Sequence, residues 1–347
     1  MKAVTVEPGI DGSLDLRRVP SPEPGPADLL VEGVAVGICG TDREIIAGTY
    51  GTSPPGAGYL ILGHESLGRV VRAPTDSGFE AGDLVVGIVR RPDPEPCRCC
   101  ASGRWDMCLN GSYTERGIKG LHGYASETYV LEPRFAIRIG SELGSRGVLV
   151  EPTSVVSKAW RKIDDLAAHN CLEPRSALIT GAGPIGLLAA LLATQKGLDV
   201  HVLDRATHGP KPDLVAALGA TYHRGPVSDV DVRPDVLVEC TGAAAVVFDV
   251  ISMSGPNGIV CLTGVSAPGR RLTIDAGEIN REIVLENAIV FGSVNASRED
   301  YESAVVSLAA ADQAWLDGLI TRRVPLDRWR EAYEPRPDDV KTVLELA

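Results

Sequence analysis

Ser176-Ala177-Leu178-Ile179-Thr180-Gly181-Ala182-Gly183-Pro184-Ile185-Gly186 is the stretch that decides how this chain folds. A short, largely apolar run leads into Gly-x-Gly-x-x-Gly, and an apolar segment opened by Pro184 continues to Lys196. The run reads as a buried strand and the segment as a helix, because the fixed φ of proline suits a first helical position. Gly181 permits the tight turn between them, Gly183 lets backbone N–H groups approach a pyrophosphate, and Gly186 allows the helix to pack closely on the strand. Asp199 to Leu203 reads as the next strand, and Asp204 stands at its end, eighteen residues beyond Gly186. A carboxylate there accepts hydrogen bonds from the adenosine ribose and repels a 2′-phosphate, which favours NAD+ slightly over NADP+. The guanidinium of Arg205 pulls the other way, since it can bind that phosphate or stack on adenine.

Working outward, Asp235 to Cys240 and Gly258 to Leu262 continue the alternation of strands and helices, so residues 156–291 are expected to form a doubly wound parallel sheet of the Rossmann type. Residues 1–155 differ. Short strand-like runs (Asp28 to Val36, Tyr59 to Leu62, Leu84 to Val89) are broken by Gly and Pro clusters, as in an irregular β-rich domain. The tail 292–347 is too short to fold alone and is expected to return to that first domain. The whole is α/β in two domains, 1–155 with 292–347 and 156–291.

Composition limits the function classes. The 347 residues are 44% hydrophobic and 23% charged, with mean hydropathy +0.05, as in a soluble globular chain. A net charge of -12 and a pI near 5.0 disfavour binding to nucleic acid or anionic membranes. No apolar run is long enough to span a bilayer, and Met1-Lys2-Ala3-Val4 opens like a strand with no signal-peptide core, so a cytoplasmic location is expected. The expected partners are a small-molecule substrate and like subunits, with no nucleic acid and no membrane.

Two groups of residues have the chemistry of metal ligands. Cys39 lies between glycines in Gly37-Ile38-Cys39-Gly40-Thr41-Asp42, and His64-Glu65 follow Gly63. Together these offer a zinc ion about three ligands and an open position. Adjacent side chains diverge, so one of His64 and Glu65 is expected to bind directly and the other through water. The second group is the cluster Cys97, Cys99, Cys100 and Cys108, which in a reducing compartment reads as a metal site before it reads as disulfides. Cys171, Cys240 and Cys261 are isolated and are expected to play ordinary core or surface roles.

With these motifs in one chain, the sequence resembles the zinc-dependent medium-chain dehydrogenases, and among them the archaeal-type glucose 1-dehydrogenases. The resemblance runs nearly end to end and includes Val89-Arg90-Arg91-Pro92, Glu115-Arg116-Gly117-Ile118, His122-Gly123-Tyr124, Val150-Glu151-Pro152 and Gly292-Ser293-Val294-Asn295. It implies that the first domain is a GroES-like catalytic domain. It further implies a catalytic zinc at Cys39, His64 and Glu65, with Glu151 as a further ligand or a contact through water. Thr41 would hydrogen-bond the reacting hydroxyl and relay its proton, and Thr41, Glu65, Glu115, Glu151 and Asn295 would line the substrate. The cofactor would be held by Gly181 to Gly186, Asp204, Arg205, Thr263, Gly264, Val265, Ser293, Val294 and Asn295.

The implied activity is oxidation of an aldose such as D-glucose at C1 to the lactone, by a homodimer or homotetramer. A polyol, an aminocyclitol or another secondary alcohol is the alternative substrate. A non-catalytic nicotinamide-binding role fits poorly with an open zinc site. The chain departs from some relatives at Val155 and Leu285, where they carry an Asp and a His in the substrate site, which leaves the preferred sugar open. Cys97, Cys100 and Cys108 match the last three members of the family's structural-zinc pattern, and Pro94 takes the place of the first. Cys99, Asp93 or Glu95 would then be the fourth ligand, or the site would be degenerate.

Overall fold

The computed structural model describes residues 1–267, 269 and 271–347. The chain divides into two compact units, Met1–Ser154 with Asn295–Ala347, and Val155–Val294.

The first unit is organised by the ten-residue strand Leu29–Ile38, buried at every second residue from Leu29 to Ala35 and continuously from there to Ile38. Glu65–Arg72 and Thr342–Glu345 pair antiparallel to it on its two sides, and Thr128–Leu131 pairs antiparallel along its start. Leu84–Gly87 and Ala136–Ile139 extend the sheet at one edge, and Arg322–Pro325 extends it at the other. The central strand runs two residues past Val36 because Gly37 and Ile38 find partners in Val343 and Thr342. A strand from the far end of the chain therefore sits directly beside the segment that carries Cys39. Lys2–Val6, Asp15–Arg18 and Leu60–Ile61 form one small sheet, and Arg90–Arg91, Thr114–Arg116 and Gly120–Leu121 form another. Val4, Val6, Val36, Leu60, Leu62 and Leu344 make up much of the core between these layers.

The second unit holds six parallel strands. Numbered in chain order as Ser176–Thr180, Asp199–Leu203, Thr221–His223, Val236–Glu239, Ile259–Leu262 and Ile289–Gly292, they lie in the spatial order 3-2-1-4-5-6. Parallel strands are covered on both faces, which explains why Ser176–Thr180 is buried from Ala177 onward and Val236–Glu239 throughout, with no alternation. The helix Pro184–Gln195 packs on this sheet, with Gly186 to Ala193 buried. In such a sheet ligands bind at the carboxyl ends of the strands where the order reverses, and Gly181 lies at that reversal, after the first strand.

Candidate active site

In the first unit, Cys39, His64 and Glu65 come together, each offering a ligand atom within 4.8 Å of the others. Cys39 precedes the helix Gly40–Ile46, and its backbone N–H donates to Asp42 Oδ2 at 2.8 Å, a capping arrangement that fixes the Cys39 backbone. Asp42 is fully buried and its other oxygen lies 3.4 Å from His64 Nδ1. One carboxylate therefore orients both residues and leaves His64 Nε2 for a metal, the usual outer-shell arrangement around a ligating imidazole. Burial opposes protonation of His64, but Asp42 and then Cys39 outweigh it and raise its pKa well above the usual imidazole range.

Glu65 opens the strand Glu65–Arg72 directly opposite Gly37. A Cβ at position 37 would overlap Glu65 Oε2, so glycine is what makes room for the carboxylate. Both Glu65 oxygens lie 2.6 Å from Lys341 Nζ, which also donates to the Ile38 carbonyl at 3.2 Å. Lys341 and Glu65 are 2% and 1% exposed in their side chains, so the pair is out of water. Burial works against the Lys341 charge, yet Glu65 and Cys39 raise its pKa. A carboxylate already shared with an ammonium is a weaker metal ligand than Cys39 or His64. Glu151, buried at the start of the helix Val150–His169, faces the same charges. Burial pushes its pKa up to about 7, opposed by His64 and reinforced by Glu65. Thr41 Oγ1 stands 4.0 Å from Cys39 Sγ, and Thr41 is half-buried. A thiolate, an imidazole and carboxylates in one dry pocket suit zinc.

Glu115 is buried and its Oε1 accepts from Arg90 Nε and NH2 and from Asn295 Nδ2, each at 3.0 Å. Asn295 has φ +60°, a left-handed conformation that asparagine tolerates, and its own Oδ1 accepts from the Ala296 N–H.

Cys97, Cys100 and Cys108 also converge, with their sulfurs within 4.8 Å of one another. Cys99 stands outside this trio. Cys97 and Cys100 are three apart at the short helix Arg98–Ala101 and share a face, whereas Cys99, next to Cys100, projects about 100° away. Asp93 and Glu95 are not among the grouped ligands either; the Asp93 carboxylate accepts from the Glu95 N–H at 2.9 Å. Among the described residues these three thiols form a group that could hold a metal ion, one ligand short of the four a closed structural zinc site takes.

In the second unit a cavity of about 680 Å³ is lined by Gly181, Gly183, Asp204, Arg205 and Thr241, among others. Gly181 has φ +90°, a Cβ on Gly186 would overlap the Gly181 carbonyl, and the space beside Gly183 is open. This backbone fits a pyrophosphate at the N-terminus of the helix Pro184–Gln195, which begins at Pro184 and Ile185. Asp204 Oδ2 accepts from the Ala182 N–H at 2.7 Å and Oδ1 from the Ala206 N–H at 2.9 Å, while Lys211 Nζ lies 3.4 Å from each oxygen. Burial would raise the Asp204 pKa, but these N–H groups and Lys211 bring it below the usual carboxylate range. Lys211 thus offsets the charge on which the slight preference for NAD+ rests. Thr263, Gly264 and Val265 follow the strand Ile259–Leu262, and the Thr263 and Gly264 N–H groups donate to the Glu239 carbonyl. Ser293 and Val294 follow the neighbouring strand Ile289–Gly292, at the same carboxyl end of the sheet.

Asp42, Lys341, Arg90 and Lys211 received no role from the sequence. Asp42 is the one with a local signal, three residues beyond Cys39 at the position of a helix cap partner.

The chain is similar to known proteins along its whole length. Residues 25–141 match the family described as alcohol dehydrogenase GroES-like domain, and 144–346 that described as glucose dehydrogenase C-terminus. A glucose 1-dehydrogenase of Caldivirga maquilingensis is 41% identical over 353 residues, covering 100% of this chain and 99% of that protein. One from Methanocella arvoryzae is 37% identical over 357 residues with the same coverage. Among solved structures, Haloferax mediterranei glucose dehydrogenase in complex with NADP, zinc and gluconolactone superposes with a TM-score of 0.93 at 34% identity, over 100% of this chain and 99% of that one.

Proposed function

Since the chain belongs to the glucose dehydrogenase family of zinc-dependent medium-chain dehydrogenases, we propose that it oxidises an aldose such as D-glucose at C1 to the lactone, with hydride transfer to NAD+ or NADP+. The observation that carries this reading is the convergence of Cys39, His64 and Glu65 beside Thr41. Zinc held there supplies Lewis acidity to the reacting hydroxyl, and the nicotinamide accepts the hydride. Cys39 Sγ and His64 Nε2 hold the metal, and Glu65 and Glu151 contribute as weaker ligands or through water. Thr41 Oγ1 hydrogen-bonds the reacting hydroxyl and passes its proton towards solvent. Glu65, Glu115, Glu151 and Asn295 hold the remaining sugar hydroxyls, a polar set that an alcohol lacking those groups would leave unpaired at high cost. Cys97, Cys100 and Cys108 hold a second zinc that stabilises their lobe.

In the second unit the turn Gly181 to Gly186 cradles the pyrophosphate. Asp204, Arg205 and Lys211 meet the adenosine ribose, and Thr263, Gly264, Val265, Ser293 and Val294 meet the nicotinamide half. Lys211 and Arg205 support acceptance of NADP+ as well as NAD+. The enzyme is a cytoplasmic homodimer or homotetramer. The edge of the strand Ile289–Gly292, which has no strand partner on its outer side among the described residues, and the exposed Val284 and Leu285 support assembly through this unit. No helix among the described residues is long and apolar enough to cross a membrane.

The test is product analysis by NMR after incubation with D-glucose and NADP+, beside 1,5-anhydroglucitol, which lacks the C1 hydroxyl. Gluconolactone from the first and no reaction of the second is the expected result. Equal turnover of both would place the chemistry away from C1.

A further inference from the structure

The strand pair Arg90–Arg91 and Thr114–Arg116 sets Arg90 directly opposite Glu115. Both side chains are buried, and two guanidinium donors, Nε and NH2, go to one oxygen, Glu115 Oε1. Asn295 Nδ2 gives that oxygen a third donor. Oε2 receives none among the described residues, so the lone pairs left for a ligand are on Oε2. The guanidinium is itself fixed from two further directions. NH1 donates to the Asp106 carbonyl at 3.0 Å, and the Tyr113 ring lies over its plane with the centroid 3.7 Å from Cζ.

We propose that Arg90 is a positioning residue for the sugar, filling Oε1 of Glu115 together with Asn295 so that Oε2 is the oxygen that accepts from a substrate hydroxyl. This rests on the reading of Glu115 as a sugar contact. A lysine keeps the charge but cannot place two parallel donors on Oε1 while reaching the Asp106 carbonyl, so the role is specific to the planar fork. Arg90 also ties the lobe that carries Cys108 to the Glu115 carboxylate, since the Asp106 carbonyl it holds lies two residues before that cysteine.

The experiment is a double-mutant cycle in the zinc-loaded enzyme with Arg90→Lys and Glu115→Gln, reading KM and kcat for D-glucose and, separately, the dissociation constant of NADPH by fluorescence. Arg90→Lys is expected to raise KM by about 10- to 100-fold, the worth of one hydrogen bond to a charged group. The kcat is expected to stay within about threefold and NADPH affinity to be unchanged, and in the Glu115→Gln background Arg90→Lys should add less than about threefold to KM, because the two residues act as a unit. If Arg90→Lys does not fold by circular dichroism, Tyr113→Leu removes the ring that holds the guanidinium plane and is expected to raise KM by about 2- to 5-fold with NADPH affinity unchanged.

Additive effects in the cycle, a parallel loss of sugar and NADPH affinity, or an unchanged KM in Tyr113→Leu would overturn the proposal while leaving the sugar reading in place. A wild-type enzyme that turns over no aldose would overturn the sugar reading and this proposal with it.

Discussion

The first unit holds two clusters of ligand-bearing side chains, and they are built in opposite ways. Cys97, Cys100 and Cys108 lie within one short loop and helix, and their immediate partners are local: the Leu109 N–H donates to Cys97 Sγ and helps to lower that thiol's pKa to about 6, while burial pushes Cys100 up to about 11. Cys39 comes from one segment and His64 and Glu65 from another, and around them lie the buried ionisable groups of Asp42, Glu151 and Lys341, the last drawn from the far end of the chain. A staple needs only ligands at the right spacing. A reactive centre also needs its ligands oriented and its charges balanced in a dry pocket, and that requires long-range contacts.

Changes around Cys39 should therefore damage stability and function out of proportion to size, and changes in the lobe should not. The largest effect is expected from Lys341→Met, which leaves Glu65 buried without its partner. Unfolding free energy should fall by about 3–5 kcal/mol in a denaturant titration, and an unchanged midpoint would show that the pair is not needed. Asp42→Asn keeps the shape but weakens the hold on His64, so zinc affinity measured by chelator competition should drop by about 10- to 100-fold.

A smaller effect should appear with pH in the zinc-free protein. The folded-state pKa of Glu151 is raised by burial to about 7, so its contribution to stability is fully present below the ordinary carboxylate pKa of about 4.3 and is lost as pH rises towards 7. The Tm of zinc-free enzyme should therefore decline across that window, and Glu151→Gln should flatten the decline. A slope unaffected by that substitution would assign it to other groups. The smallest functional effect is expected from Cys97→Ser. It should make the lobe easier to cleave in limited proteolysis while leaving kcat at saturating sugar within about twofold, because local opening of the lobe does not touch the reacting atoms.

The same contrast explains what was legible in the sequence. The doubly wound sheet could be read because Gly181, Gly183 and Gly186 carry out backbone tasks that other residues perform poorly, and because apolar runs such as Ser176 to Thr180 are local signals. Cys39 and His64 stood out by residue type and by their glycine neighbours. Lys341 could not be read: nothing near it in sequence says that Thr342–Glu345 will pair with Leu29–Ile38 and bring its ammonium to Glu65. Lys211 was hidden by the loop between it and Asp204, and Arg90 by a two-residue strand whose partner lies beyond the cysteine lobe. Cys99 was a misleading signal, since proximity in sequence suggested a shared metal and the helical turn separates it from the other three. Burial of charge is a property of the assembled fold, so the residues that balance charge were the ones composition and spacing left unmarked.

The most direct test of the account is the initial rate of NADPH formation from D-glucose before and after treatment with a zinc chelator, followed by return of zinc. The account predicts that activity disappears with the metal and is restored by it, with NADPH binding unchanged throughout. Sustained turnover by enzyme shown to be zinc-free would contradict it.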